Sequence, residues 1–255
     1  MRSLFFLPAL RGLLRDTRLG LLGWFLIAGT GASLLVLGAG IVGGSGCQRR
    51  DFAGKLHLSF DDGAEEAVTI ALLTTLAHYR VSASFFEVGS HLAQLPDHGR
   101  RLLAAKQAGG HVIGNHSFTH AHFSRLSRAQ IAWELHETET LLAAFTSFHL
   151  IRPPFGDTNA RVRAIFHELG YVEVTWDVQT ADYSWEAAYK RGEPAIRERY
   201  IQQVVEQATK KHGGILLLHD TERITTDNLP AIIEALQQQG FAFVPLTYFL
   251  KLKQD

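Results

Sequence analysis

The sequence predicts an α/β fold built on a parallel sheet, and three observations carry the prediction. Strand-like and helix-like stretches alternate about seven times between residues 55 and 251. No segment repeats another, which sets this chain apart from a solenoid. Asp61 and Asp62, His116 and His120, Arg152, Asp177 or Asp182, and His219 all follow on strand-like runs. An open sheet and a closed β/α barrel satisfy the alternation equally. In a barrel those residues share one rim and converge in space.

The elements follow in order. Leu56, Leu58 and Phe60 alternate with His57 and Ser59, the period of a strand, and the run stops at Asp61-Asp62-Gly63. Two adjacent carboxylates repel and gain nothing by packing, so by themselves they suggest a turn or a helix cap. A helix is expected over 64–79, with Val68, Leu72, Leu73 and Leu76 on its buried side. Residues 81–88 form a β-rich run ending at Gly89, and 97–108 a helix closed by Gly109-Gly110. A short strand at 111–113 leads into Gly114-Asn115-His116-Ser117-Phe118-Thr119-His120. Ser127 is a suitable N-cap for a helix over 127–145. A strand at 148–151 runs into Arg152-Pro153-Pro154-Phe155-Gly156, then come a helix over 158–169 and a strand over 171–176. Residues 177–194 are irregular, polar and aromatic. A helix (195–212), a strand (215–218), a helix (228–239), a strand (241–244) and a closing helix (246–251) complete the chain.

Composition bounds the function. The chain has 255 residues, 46% hydrophobic, enough to bury one large core. Its formal net charge is zero, which argues against a nucleic-acid binder. A single cysteine, Cys47, excludes an intramolecular disulfide framework and any Cys-rich zinc site.

The first 50 residues are read separately from the catalytic part at 51–255. No charge occurs from Leu19 to Gly46, and residues 19–42 are long enough to cross a bilayer as a helix. Arg2, Arg11, Arg15 and Arg18 precede this stretch against one acid, Asp16, which keeps the N-terminus cytoplasmic and sends the rest across the membrane. A lipoprotein processed at Cys47 and a cleaved, secreted form are the alternatives. The apolar run exceeds a usual signal core, and Gly44 stands where a lipobox carries an aliphatic residue. The expectation is therefore an uncleaved single-pass anchor, with residues 51–255 on the periplasmic or extracellular side.

Among thirteen histidines about one His-x-x-x-His pair arises by chance, so the spacing of His116 and His120 is weak evidence alone. Its functional reading is two imidazoles one helical turn apart on one metal ion, with a carboxylate from another strand end as third ligand. Asp61-Asp62 supplies that ligand and leaves a second carboxylate free as a base. His111 and His122 are read as packing or surface residues.

The strings SFDDG, HSFTH, RPPF, WDVQTAD and LLLH occur in that order and resemble the five motifs of NodB-type polysaccharide deacetylases, carbohydrate esterase family 4. The stretches around Ala83–Gly89 and Gly110–His116 agree, so the similarity covers roughly residues 55–250. The resemblance implies a distorted (β/α)7-type barrel and a metal-dependent hydrolase that removes N-acetyl groups from amino-sugar polymers of the envelope: peptidoglycan, poly-N-acetylglucosamine or a chitin-like glycan. It assigns Asp61 as general base, Asp62, His116 and His120 as ligands of a divalent metal (zinc, or cobalt or another ion), and Arg152 as the residue positioning the base. Phe155 matches the backbone N–H oxyanion donor, His219 the general acid, and Leu217 the lining of the acetyl-methyl pocket. Asp182 matches a carboxylate that tunes either the histidine or the arginine. The family's Asp-x-x-Asp-Trp reads Gln179-Thr180-Ala181-Asp182-Tyr183 here, which places Tyr183 at the substrate and puts specificity in doubt. Asp177 is a possible substitute for the missing acid, and 183–199 forms either a sugar groove or a packed lid. Deacylation of a lipid-linked amino sugar or small amide is the second reading. A glycan-binding pseudoenzyme is the third, but it predicts a lost base or ligand, and none is lost. Oligomeric state is not legible.

Overall fold

The computed structural model describes residues 52–63 and 66–252. The expected membrane helix at 19–42, Cys47 and the first two residues of the helix expected at 64–79 lie outside them. Among the described residues no helix is long and apolar enough to cross a membrane.

The described elements are β1 (Lys55–Asp62), α1 (Glu66–Tyr79), β2 (Ala83–Glu87), α2 (Gly89–Gln94), α3 (Pro96–Ala108), β3 (Val112–Asn115), α4 (Arg128–Leu142), β4 (Leu150–Ile151) and α5 (Ala160–Glu168). They continue with β5 (Val172–Glu173), β6 (Val178–Gln179), α6 (Tyr183–Lys190), α7 (Ile196–Lys211), β7 (Gly213–His219), α8 (Arg223–Thr226), α9 (Leu229–Gln238), β8 (Ala242–Phe243) and α10 (Leu246–Leu252).

All strand pairs are parallel, in the order β5-β4-β3-β2-β1-β7-β6, with β8 beside the start of β1. The sheet curls but does not close by strand pairing, so the (β/α)7-type barrel expected from the sequence is a curled half-barrel. The run at 171–176, read as one strand, is where the sheet's two edges are joined. Val174 N–H bonds Ile151 O on one side, and three residues later Asp177 N–H bonds Ile215 O on the other. A continuous strand cannot make that crossing, hence the two-residue strands β5 and β6. The segment read as irregular at 177–194 holds β6 and α6, and α2 and α8 were also not foreseen.

β1 shows how the core positions the rim. Leu56, Leu58 and Phe60 are fully buried among α1, α7 and α9, against Leu72, Leu76, Val204, Ile232 and Ile233. Each such side chain contributes about 1.5–3 kcal/mol by leaving water. The alternate positions His57, Ser59 and Asp61 are buried too, on the concave face. His57 Nδ1–H donates to Val244 O (2.8 Å), and Ser84 Oγ–H donates to Nε2 (2.7 Å). Ser59 Oγ–H donates to Leu216 O (2.9 Å). A satisfied polar column thus climbs β1 to Asp61, where the strand meets the open end of the half-barrel. Ser127 caps α4 through a reciprocal box with Gln130, as its position before the helix predicts.

Candidate active site

The strand ends meet in one cavity. A cleft of about 390 Å³ is lined by Asp61, Asp62, His116, His120, Phe155, Trp176, Gln179, Tyr183, Leu217, His219 and Glu222. These residues come from the ends of β1, β3, β4, β5, β6 and β7 and the loops after them. A larger cleft of about 600 Å³ near α1 and α3 has only Arg80 and His111 as titratable lining groups, and no acid–base pair converges there.

Asp62, His116 and His120 offer ligand atoms that all lie within 4.8 Å of one another. Asp62 Oδ1 is 3.6 Å from His116 Nε2 and 3.4 Å from His120 Nε2. Ligand atoms held about 2.0–2.2 Å from a tetrahedral cation stand roughly 3.3–3.6 Å apart, so the spacing fits a zinc-like ion. The tautomer fits as well. His116 Nδ1–H donates to Arg152 O (2.6 Å), which leaves the Nε2 lone pair facing Asp62. Burial pushes the His116 imidazole down to about 3 and also lowers His120, keeping both rings neutral as ligands.

The two histidines are not on a helix, contrary to the reading of His-x-x-x-His as one helical turn. They sit in the loop between β3 and α4, where Ser117 and His120 take left-handed backbone angles (φ 67° and 57°). Glu134 of α4 holds this loop: its Oε2 accepts the N–H groups of Phe118 (2.8 Å) and Thr119 (2.7 Å), and its Oε1 accepts the Thr119 hydroxyl (2.5 Å). Sequence reasoning missed Glu134, which looks like any helix glutamate until the loop folds onto it. His91 was missed too; its Nδ1–H donates to Asp62 O (3.0 Å).

On one side of the cavity stands Asp61. Arg152 is fully buried; its Nη1 donates to Asp61 Oδ1 (2.7 Å) and Ser59 Oγ (2.8 Å), and its Nε to Val174 O (3.1 Å). The guanidinium packs over Phe86, 4.2 Å from the ring centroid. Burial pushes the Asp61 carboxyl up and outweighs the opposing pull of Arg152. A carboxylate so placed is a stronger base than an exposed one.

On the other side stands His219, and the structure resolves which group Asp182 serves. Asp182 Oδ1 accepts His219 Nδ1–H (2.7 Å), and its Oδ2 accepts the His219 backbone N–H (2.7 Å) and the Thr225 hydroxyl (2.8 Å). The aspartate is fully buried and pairs with the histidine, not with Arg152. Burial works against charge on His219, but the Asp182 hydrogen bond and charge, with Asp61 and Asp62, push it up to about 9. Asp177 Oδ2 accepts Ile215 N–H (3.0 Å) beside β7, and its charge also favours the charged form of Arg152.

Phe155 occupies a left-handed position (φ 61°) in a 3₁₀ turn, with its ring exposed at the cavity mouth. The ring stacks on His122 (4.1 Å between centroids, 17°) and meets His120 edge-on (4.6 Å). His122 is therefore a prop for the wall, itself bonded to Asp157 (3.2 Å). His111 is a packing residue, as expected; its Nδ1 accepts Ala83 N–H (3.1 Å) against the Phe85 ring. Tyr183 is exposed at the opposite lip and touches His219 edge-on (5.8 Å). Leu217 is buried in the cavity wall. Gln179, which stands in place of the family's first acid, also lines the cavity, as do Trp176 and Glu222, which were not singled out. Trp176 closes a strand-like run and Glu222 follows His219 by three residues, so position relative to the strand ends was the available signal.

The family model described as polysaccharide deacetylase matches residues 50–174. The chain is 30% identical over 192 residues to a peptidoglycan-N-acetylglucosamine deacetylase of Bacillus cereus, covering 73% of this chain and 67% of that one. It is 29% identical over 194 residues to the peptidoglycan-N-acetylglucosamine deacetylase PgdA of Listeria monocytogenes, of whose length it spans 38%. A family 4 carbohydrate esterase from Streptomyces lividans, solved in complex with acetate, superposes with a TM-score of 0.61 at 30% identity, covering 74% of this chain and 91% of that one.

Proposed function

We propose, from the premise that this chain belongs to the polysaccharide deacetylase family (carbohydrate esterase family 4), that it is a metal-dependent hydrolase removing N-acetyl groups from amino-sugar polymers of the cell envelope. The observation that carries the reading is two-sidedness: Asp61 with Arg152 faces His219 with Asp182 across a cavity bordered by Asp62, His116 and His120. Amide hydrolysis needs a base for water on one side of the carbonyl carbon and an acid for the departing nitrogen on the other.

Asp62, His116 and His120 would hold the divalent cation, zinc by the softness and spacing of the set, with cobalt able to replace it. Such a cation lowers the pKa of water and polarises a carbonyl. Asp61, oriented by Arg152, takes a proton as the water oxygen attacks the acetyl carbon. The Phe155 N–H is the donor assigned to the developing oxyanion, an interaction worth about 3 kcal/mol in comparable sites. His219 gives its proton to the amide nitrogen as the C–N bond breaks, which releases acetate and the free amine. Leu217 packs against the acetyl methyl. Phe155 and Tyr183, exposed on opposite lips, offer aromatic faces to sugar rings. This favours a glycan over a small amide.

Relatives named for peptidoglycan-N-acetylglucosamine deacetylation support that polymer class, as does one named chitin deacetylase 2 from Saccharomyces cerevisiae. The charge-free stretch at 19–42 supports a single-pass anchor that keeps this domain outside the cytoplasm. The test is acetate release from N-acetylglucosamine oligomers and peptidoglycan fragments by the full chain. Activity on an N-acylated small amide or lipid-linked amino sugar, with none on any glycan, would replace the substrate assignment.

A further inference from the structure

Beside the metal-binding turn lies a buried ion cluster for which the proposed reaction has no use. Lys106 of α3 is fully buried, with its Nζ 4.4 Å from the Phe85 ring centroid. It donates to Glu87 Oε1 at the end of β2 and to Asp220 Oδ2 (3.4 Å) just after β7. Both carboxylates are also buried.

Each acid reaches the point where β1 gives way to the turn. Asp220 Oδ1 accepts the Gly63 N–H (3.0 Å). Glu87 is the register partner of Asp62, and its Oε2 presses so closely on Gly63 that a Cβ there would collide with it. The next residue, Val88, donates its N–H to Asp62 O (3.3 Å). The turn needs such holding. Asp62 and Gly63 are consecutive left-handed residues (φ 83° and 62°), and a non-glycine residue pays about 1 kcal/mol or more for that region. Apolar side chains of similar volume in place of the whole Lys106–Glu87–Asp220 cluster would fill the space without any desolvation penalty. What the charged cluster contributes is therefore position: it fixes the backbone that aims the Asp62 carboxylate at His116 and His120.

We propose that Lys106, Glu87 and Asp220 are positioning residues for the metal centre, setting cation affinity through the Asp62-Gly63 turn; the inference rests on the metal-site reading above.

The test measures zinc affinity of the full-length apoprotein by competition with a chromophoric chelator, alongside thermal unfolding. Lys106→Met leaves two buried acids without their cation. The set Lys106→Met/Glu87→Gln/Asp220→Leu leaves no unpaired charge, so it folds even where the single variant does not, yet it removes the acceptor for Gly63 N–H. A positioning role predicts zinc binding about 10–100-fold weaker in the folded triple variant, the range typical of lost partners behind a ligand. Parent-like zinc affinity in that variant, whatever its Tm, overturns the proposal. Asp62→Ala is the control. If it binds zinc as the parent does, the metal-site reading itself has failed, an outcome distinct from parent-like binding by the triple variant alone.

Discussion

Asp182→Asn is the sharpest single perturbation of the proposed acid. The aspartate accepts four hydrogen bonds: His219 Nδ1–H and Tyr183 N–H on Oδ1, His219 N–H and the Thr225 hydroxyl on Oδ2. An amide of the same shape keeps one oxygen for the imidazole but turns an NH2 toward the His219 N–H, and it carries no charge. The donor–donor contact costs about 1–3 kcal/mol of stability. The larger effect is on protonation. With Asp182 in place His219 is raised from 6.5 to about 9; without the Asp182 charge the opposing effect of burial is less well compensated and the pKa of the ring falls. A return to the ordinary 6.5 would drop the protonated fraction at pH 8 from about 90% to about 3%, a loss of roughly thirtyfold in competent acid. Because the folded pKa is raised, the protonated form is complete below 6.5 and is lost as pH rises through about 9. The stability this group contributes follows the same window. A bound dication opposes the imidazolium and brings the alkaline limb of the loaded protein below that value, but the substitution still displaces the limb toward acid. The assay is the pH dependence of kcat for acetate release. A uniformly scaled rate with an unmoved alkaline limb would refute the assignment of His219 as proton donor.

Two further outcomes follow from the same contacts. Arg152→Met leaves Asp61 buried beside an apolar group; breaking such a pair costs about 3–5 kcal/mol, so thermal unfolding moves down by many degrees and acetate release is lost. An unchanged Tm would mean that Asp61 is neutral in the folded protein. Tyr183→Ala removes an exposed ring at the lip, so KM for N-acetylglucosamine oligomers rises while Tm and the rate on a short substrate stay near those of the parent. A fall in kcat at constant KM would instead place Tyr183 in the chemistry.

Much of the architecture was legible because strand and helix periodicities differ and because polar residues of unusual kind stop apolar runs. Asp61, Asp62, His116, Arg152 and His219 each end or directly follow a strand, and the parallel order brings those ends together. What stayed hidden depends on tertiary partners. The crossing at 174–177 reads locally as a continuation of a strand; only the separate pairing of Val174 with Ile151 and of Asp177 with Ile215 breaks it. The loop bearing His120 has the spacing of a helix but not its backbone, because Glu134 gathers its N–H groups from a distant helix. Asp182 could be matched to two partners by sequence, and burial beside His219 chooses one. Lys106 sits in an amphipathic helix, where nothing local distinguishes a buried lysine from a solvated one.

Asp62, His116 and His120 are proposed to hold a cation on which deacetylation depends. The most direct test is acetate release from N-acetylglucosamine oligomers by the full chain, before chelation, after chelation, and after returning zinc or cobalt, with His116→Ala in parallel. Chelation and the substitution are each expected to abolish acetate release, with added metal restoring it only to the parent. Acetate release that survives chelation, or that persists in His116→Ala, would contradict it.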